Sequence, residues 1–284
     1  VSPSRMRLSV VQFAPRFPGR EENWERIRQW ADALDSDIVL FPELSSCGYC
    51  YQGREEIRGY TDPSSSLAPL AKIARSRGRL LVGGFAEEGD GEFYNSAYVV
   101  SPEQTQIYRK IHLWNKEKQI FQSGSDPLII DFQGHRFGIE VCYDLQFPEL
   151  GSYYSREGAE ALLIPMAWAE EATGPLSGLQ AFNHLAIATA FSHGIYVVVA
   201  NRTGLERGSN FPGESSVADP RGRLQHLGSE EGILETRLDF TLLSGAKRPN
   251  DLNDVDSDAR LPIAAPSRST TRVSGRKRTP RPPR

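Results

Sequence analysis

The sequence predicts an α/β layered fold with mixed sheets, and three observations carry that prediction. Helical stretches alternate with short, strongly apolar segments rich in β-branched residues, as strands buried between helical layers require. Polar turns separate neighbouring strand-like runs, as at Gln133-Gly134 and Asp219-Pro-Arg-Gly222, so hairpins interrupt any purely parallel order. The chain has 284 residues, 39% hydrophobic and 24% charged, which is long enough for one large core and ordinary for a globular protein.

The elements follow in order. Arg7 to Ala14 (RLSVVQFA) reads as a first strand. Trp24, Ile27, Trp30, Ala31 and Leu34 recur at three-to-four spacing, so Glu21 to Leu34 forms a helix with one apolar face. Asp37 to Phe41 is a buried strand that ends in Pro42-Glu43. Ser64 to Ser76 gives a second helix and Leu80 to Ala86 another strand. A polar turn from Phe93 precedes a strand through Val100; a turn at Ser101-Pro102 and a strand from Gln106 to about Ile111 follow. Leu128 to Phe132 and His135 to Val141 form a hairpin that delivers the chain to Cys142. Phe147-Pro-Glu149 then starts a helix, because proline is tolerated in a first turn and glutamate favours its positive end. Ala161 to Pro165 is a strand, Leu176 to His193 a long helix, and Ile195 to Ala200 a very apolar strand. Asn210 to Leu224 supplies extended pieces joined by a turn, and Gly232 to Phe240 closes the sheet-forming region.

Charge and cysteine content narrow the function classes. A formal charge of −3 gives the body no nucleic-acid footprint. No apolar run reaches membrane-spanning length, and the N-terminus lacks the apolar core of a signal peptide, so neither a nucleic acid nor a membrane is expected as a partner. Three cysteines, Cys47, Cys50 and Cys142, argue against a disulfide scaffold and fit a reducing cytoplasm. Cys47-Gly-Tyr-Cys50 has CxxC spacing, but no second pair completes a zinc site. Gly83-Gly84 opens no phosphate loop or dinucleotide motif, so no metal or cofactor is expected. Residues 1–261 read as one domain and 262–284 as a basic Pro/Ser/Arg-rich tail. Removing the seven positive charges of residues 268–284 from the total of −3 leaves −10 on residues 1–267.

Cys142 sits where a strand stops and a turn leads into a helix. A nucleophile there has an exposed side chain and free backbone N–H groups beside it; the plain alternative is one more small buried hydrophobe. Phe41-Pro-Glu43-Leu, Tyr108-Arg-Lys110-Ile-His-Leu113 and Val141-Cys142-Tyr-Asp-Leu-Gln-Phe-Pro-Glu149, in this order and each beside a strand end, resemble the nitrilase superfamily, also called carbon–nitrogen hydrolases. The likeness runs from about Arg7 to Phe240, and Asn201-Arg-Thr-Gly204 and the stretch 210–222 also resemble family motifs. The resemblance implies a four-layer α-β-β-α sandwich, usually a homodimer through helix packing, and a Glu-Lys-Cys triad matching Glu43, Lys110 and Cys142. A second family glutamate matches Glu117, with Glu140 as the competing carboxylate.

Chemistry gives these residues distinct tasks. Cys142 would attack an amide carbonyl and form a thioester. Glu43 would take the thiol proton, pass it to the departing amine, and later activate water. Lys110 and the backbone N–H of Tyr143 would stabilise the oxyanion, and Glu117 would orient Lys110 or the water. Tyr49, Trp114, Tyr143, Trp168 and Phe191 are the expected pocket walls. Bulky aromatics favour a short aliphatic amide. An N-carbamoyl compound, an omega-amide or a nitrile is the alternative substrate, with Arg202 or Arg207 as anchor for a carboxylated one. A non-catalytic interaction protein ranks last.

Overall fold

The computed structural model describes residues 2–170 and 180–245, which form part of a single compact unit. The predicted tail at 262–284, the boundary at 261 and residues 176–179 of the predicted long helix lie outside the described residues.

The chain runs β1 (Arg5–Gln12), α1 (Arg20–Ala33), β2 (Ile38–Leu40), α2 (Arg54–Ile57), α3 (Ala68–Arg77), β3 (Leu80–Gly89), β4 (Glu92–Val100), β5 (Thr105–Arg109), α4 (Glu117–Ile120), β6 (Leu128–Phe132) and β7 (His135–Ile139). It continues with α5 (Pro148–Arg156), β8 (Ala161–Met166), α6 (Ala181–His193), β9 (Tyr196–Asn201), β10 (Thr203–Glu206), β11 (Ser209–Pro212), β12 (Ser216–Ala218), β13 (Leu224–His226), β14 (Gly232–Asp239) and α7 (Thr241–Gly245).

Two six-stranded sheets have the orders β14-β1-β2-β3-β4-β5 and β6-β7-β8-β9-β12-β13. Both follow one pairing pattern in these directions: antiparallel, parallel, parallel, antiparallel, antiparallel. Side chains alternate across a strand, so each sheet has two faces to cover. Leu8, Val10, Ile38 and Leu40 share a core with Ile139, Leu163 and Val198 of the other sheet. The intervening Val11, Val39 and Leu81 pack with Trp24, Ile27 and Ala31 of α1 and with Leu70 and Ala74 of α3. Leu150 and Tyr154 of α5 and Phe182, Ala186 and Ala190 of α6 cover the second sheet. The result is the four-layer α-β-β-α sandwich with mixed sheets. Burial on both faces explains why β8 and β9 are buried throughout and read as unbroken apolar runs.

Three local readings change. The polar stretch at Phe93 is strand β4 itself; the turn is Asp90-Gly91, both with positive φ, joining a longer β3 to β4. Ser64–Leu67 is a 3-10 turn ahead of α3. Thr203–Glu206 pairs with Ser209–Pro212 as a separate two-stranded ribbon, absent from the sequence pattern because its outward Leu205 breaks the polar–apolar alternation.

Candidate active site

Two strand ends and the first turn of α4 bring three groups to one place. Phe41 donates its N–H to Val82 at 2.8 Å and Glu43 donates to Met166 at 3.3 Å, so the segment after β2 is tied to both sheets. Lys110 follows β5, its N–H held by the Asn95 carbonyl at 2.9 Å. Glu117 opens α4, and its own Oε2 accepts the Trp114 N–H at 2.7 Å.

Lys110 Nζ lies 2.7 Å from Glu43 Oε1 and 2.9 Å from both oxygens of Glu117, with Glu43 and Lys110 fully buried. Asn95 Nδ2 donates to the same two carboxylates, at 2.7 Å to Glu43 Oε1 and 3.1 Å to Glu117 Oε1. The Tyr49 hydroxyl adds a bond to Glu117 Oε1 at 2.8 Å. Glu43 Oε2 has no hydrogen-bond partner. One carboxylate is therefore saturated, while the other keeps a free oxygen.

Cys142 begins a 3-10 turn, Cys142–Gln146, with φ +49°, a left-handed conformation unusual for a residue with a side chain. Asp144, fully buried, holds the turn: it accepts the N–H of Val141 at 3.0 Å, the N–H of His112 at 2.8 Å and the Tyr108 hydroxyl at 2.7 Å. Burial pushes the Cys142 thiol well above its ordinary range; Glu43 and Glu117 push the same way, against Lys110 and the Ala167 N–H. Burial acts to lower Lys110, but the charges of Glu117 and Glu43 outweigh it and hold the ammonium well above its usual value. Burial raises Glu117, against the pull of Lys110. Burial and two carboxylates thus disfavour the thiolate, with the Lys110 ammonium opposing them.

Cys142 and Glu117 face a cavity of about 470 Å³, a volume suited to a small ligand. Tyr49, Trp114, Tyr143 and Trp168 line it, together with Cys50, Phe121 and Ala167. Phe191 does not. It is 55% exposed on α6 and lies beside the turn at Gly222, because Phe182, Asn183, Ala186 and Ala190 define that helix's inner face. Glu140 is buried away from the lining, leaving Glu117 as the second carboxylate, beside Glu43, that meets Lys110. Arg202 is sealed in an ion pair with Glu206, and Arg207 lines the cavity while bonded to Glu56. Cys47 is a buried free thiol. Sequence reasoning missed Asn95, whose only signal was a polar residue on the inward side of an apolar strand, and Asp144, which stood in a noted motif without a task.

The family model for carbon–nitrogen hydrolases matches residues 7–248. The chain is 30% identical over 269 residues to a nitrilase of Pyrococcus abyssi, covering 90% of this chain and 97% of that one. It is 31% identical over 254 residues to an (R)-stereoselective amidase of a Pseudomonas species, covering 87% and 89%. It also resembles the nitrilase-superfamily amidase of Nesterenkonia sp. AN1 in solved structures. A cysteine-to-alanine mutant in complex with butyramide is 26% identical with TM-score 0.72, covering 90% of this chain and 99% of that one. A second mutant, at 25% identity, TM-score 0.72 and coverage of 90% and 98%, shows covalent addition of the acetamide moiety of fluoroacetamide at its active-site cysteine. The chain belongs to the carbon–nitrogen hydrolases of the nitrilase superfamily, and it is an enzyme of the amidase class acting on carbon–nitrogen bonds other than peptide bonds.

Proposed function

We propose that this enzyme hydrolyses a short aliphatic amide to its carboxylic acid and ammonia through a thioester on Cys142. The observation that carries this reading is the Lys110 ammonium bridging Glu43 and Glu117 beside a cavity that also exposes the Cys142 turn. Glu43 takes the thiol proton through its free oxygen as sulfur bonds to the carbonyl carbon. Lys110, with the Tyr143 N–H, stabilises the oxyanion. The carbon–nitrogen bond then breaks, and Glu43 gives the proton to the leaving nitrogen. Water adds to the thioester with Glu43 as base, the carbon–sulfur bond breaks, and the proton returns to sulfur. Glu117, saturated by Lys110, Asn95, Tyr49 and the Trp114 N–H, orients the ammonium and leaves proton transfer to Glu43.

The walls support a small acyl group. Tyr49, Trp114, Tyr143 and Trp168 restrict the cavity, and Trp114 and Tyr143 meet edge to face at 4.8 Å. The butyramide complex of the Nesterenkonia amidase points the same way. A second reading has one observation in its favour: Lys116 is exposed at the cavity, where an ammonium suits the carboxylate of an N-carbamoyl amino acid or an omega-amide. Exposed Phe191 on α6 and Tyr153 on α5 support a homodimer through these helices, and three free thiols support a cytoplasmic setting. Among the described residues no helix is long and apolar enough to cross a membrane.

The test is ammonia release from propionamide and butyramide beside N-carbamoyl amino acids, omega-amides and nitriles. The first reading expects the highest kcat/KM on the short amides. A preference for carboxylated substrates that Lys116→Met abolishes overturns it for the second.

A further inference from the structure

Behind the cavity wall lies an ion pair that the chemistry above leaves unused. Arg202, just before β10, and Glu206, its last residue, are 1% and 5% exposed and bond to each other. Glu206 has further partners: its Oε1 accepts the backbone N–H groups of Tyr49 at 2.9 Å and Cys50 at 2.6 Å. The segment 48–52 belongs to no helix or strand, so its backbone donors depend on such acceptors.

The same pair also governs the Tyr49 ring. The Arg202 guanidinium lies 4.0 Å from the centre of the Phe211 ring, and Tyr49 meets that ring edge-on at 5.9 Å and 77°. Tyr49 is thus held at its backbone by Glu206 and at its ring by Phe211. Its hydroxyl reaches Glu117 Oε1, and Glu117 reaches Lys110. Gly48 makes the approach possible. Its φ of +87° suits glycine, and a Cβ there would stand 2.9 Å from Glu206 Oε2.

We propose that Glu206, braced by Arg202, is a positioning residue: it seats Tyr49 so that the phenol fixes Glu117 against Lys110. A buried ion pair is weak evidence of stabilisation, because apolar residues of similar volume commonly do as well or better. This one holds two backbone donors of the residues that line the cavity, so its place in the fold is explained by what it orients. The proposal rests on the amide-hydrolysis reading for the work Glu117 does; the contacts themselves stand apart from it.

A double-mutant cycle on the full-length enzyme tests it, with Glu206→Ala, Tyr49→Phe and the pair, read as kcat and KM on the best amide. Each single substitution lowers kcat about tenfold with KM nearly constant, and the double variant falls no more than about threefold below the slower single, since both cut one chain of contacts. Glu206→Gln, which keeps an oxygen for the Tyr49 and Cys50 N–H groups, recovers most of the kcat. Should Glu206→Ala not fold, Phe211→Leu removes the ring under Tyr49, leaves the ion pair, and takes its place in the cycle with the same expectation. Effects that multiply in the double variant, or a kcat unmoved by the singles, overturn the proposal. Iodoacetamide alkylation of Cys142, followed by peptide mass, reads the cycle without a substrate. Wild-type protein inactive on every amide would remove the functional reading and leave the alkylation cycle to decide this one.

Discussion

Lys110 Nζ stands 2.7 Å from Glu43 Oε1, and neither side chain reaches solvent. Glu117 shares the same ammonium and alone of the three lines the cavity, so two carboxylates and one cation meet in a buried place behind its wall.

Lys110→Met should therefore damage both stability and activity. Removing one partner of a buried pair costs about 3–5 kcal/mol, because the remaining charge is left uncompensated. Urea unfolding measures that loss, and ammonia release should be undetectable. Adding Glu117→Gln to Lys110→Met removes one stranded charge. It should recover part of the unfolding midpoint and none of the turnover.

The pH dependence of stability follows from the same pair. Lys110 is held above its ordinary value of 10.5, so the folded chain keeps this proton longer than the unfolded chain does. Its contribution is complete below the unfolded value and is lost as pH rises from there through the folded value. Wild type should lose unfolding free energy above about pH 10.5 more steeply than Lys110→Met, measured by urea titration at successive pH values.

Glu43→Gln should separate thiol ionisation from turnover. After burial, Glu43 is the next cause that raises the Cys142 thiol, so the neutral amide should move the midpoint of iodoacetamide alkylation to lower pH. The same substitution removes the base and should abolish ammonia release. A midpoint that rises would show that the Glu43 charge does not act on the sulfur.

Gly84 supports Glu43 from the neighbouring strand. A Cβ there would lie 2.3 Å from the Leu44 nitrogen and 2.5 Å from the Glu43 Cα, both backbone atoms, so Gly84→Ala must push that segment away. A shift of about 1 Å can cost on the order of a hundredfold in rate. We expect kcat to fall by about that factor, with alkylation of Cys142 altered less than turnover.

Asp144 should matter through the turn it holds. Asp144→Ala strips the acceptor from the Val141 N–H, the His112 N–H and the Tyr108 hydroxyl, and each buried orphan costs about 1–3 kcal/mol. Tyr108→Phe removes one donor and should cost about 1 kcal/mol while keeping most of the activity. Thermal melts and ammonia release compare the two.

The sequence carried the layers and the three motif segments, because both are written locally. Strands β8 and β9 announce themselves by unbroken apolar runs, and Glu43, Lys110 and Cys142 each end a strand-like stretch. Partnership across the chain was less legible. Asn95 touches two carboxylates only because β4 and β5 pair with Ser96 opposite Arg109, a register that no local pattern shows. Phe191 lies outside the cavity; α6 is apolar on several sides, and only packing tells its inner face from its outer one. Arg202 is occupied by Glu206, four residues away, a pairing that no local pattern shows.

The most direct test of the central claim is intact mass after rapid quenching of the enzyme with an amide labelled with heavy nitrogen, followed by peptide mapping. The account predicts an acyl group on Cys142 that has already lost the labelled nitrogen, with labelled ammonia in solution and no adduct on Cys142→Ala. Acid and ammonia formed at the parental rate by Cys142→Ala would contradict it.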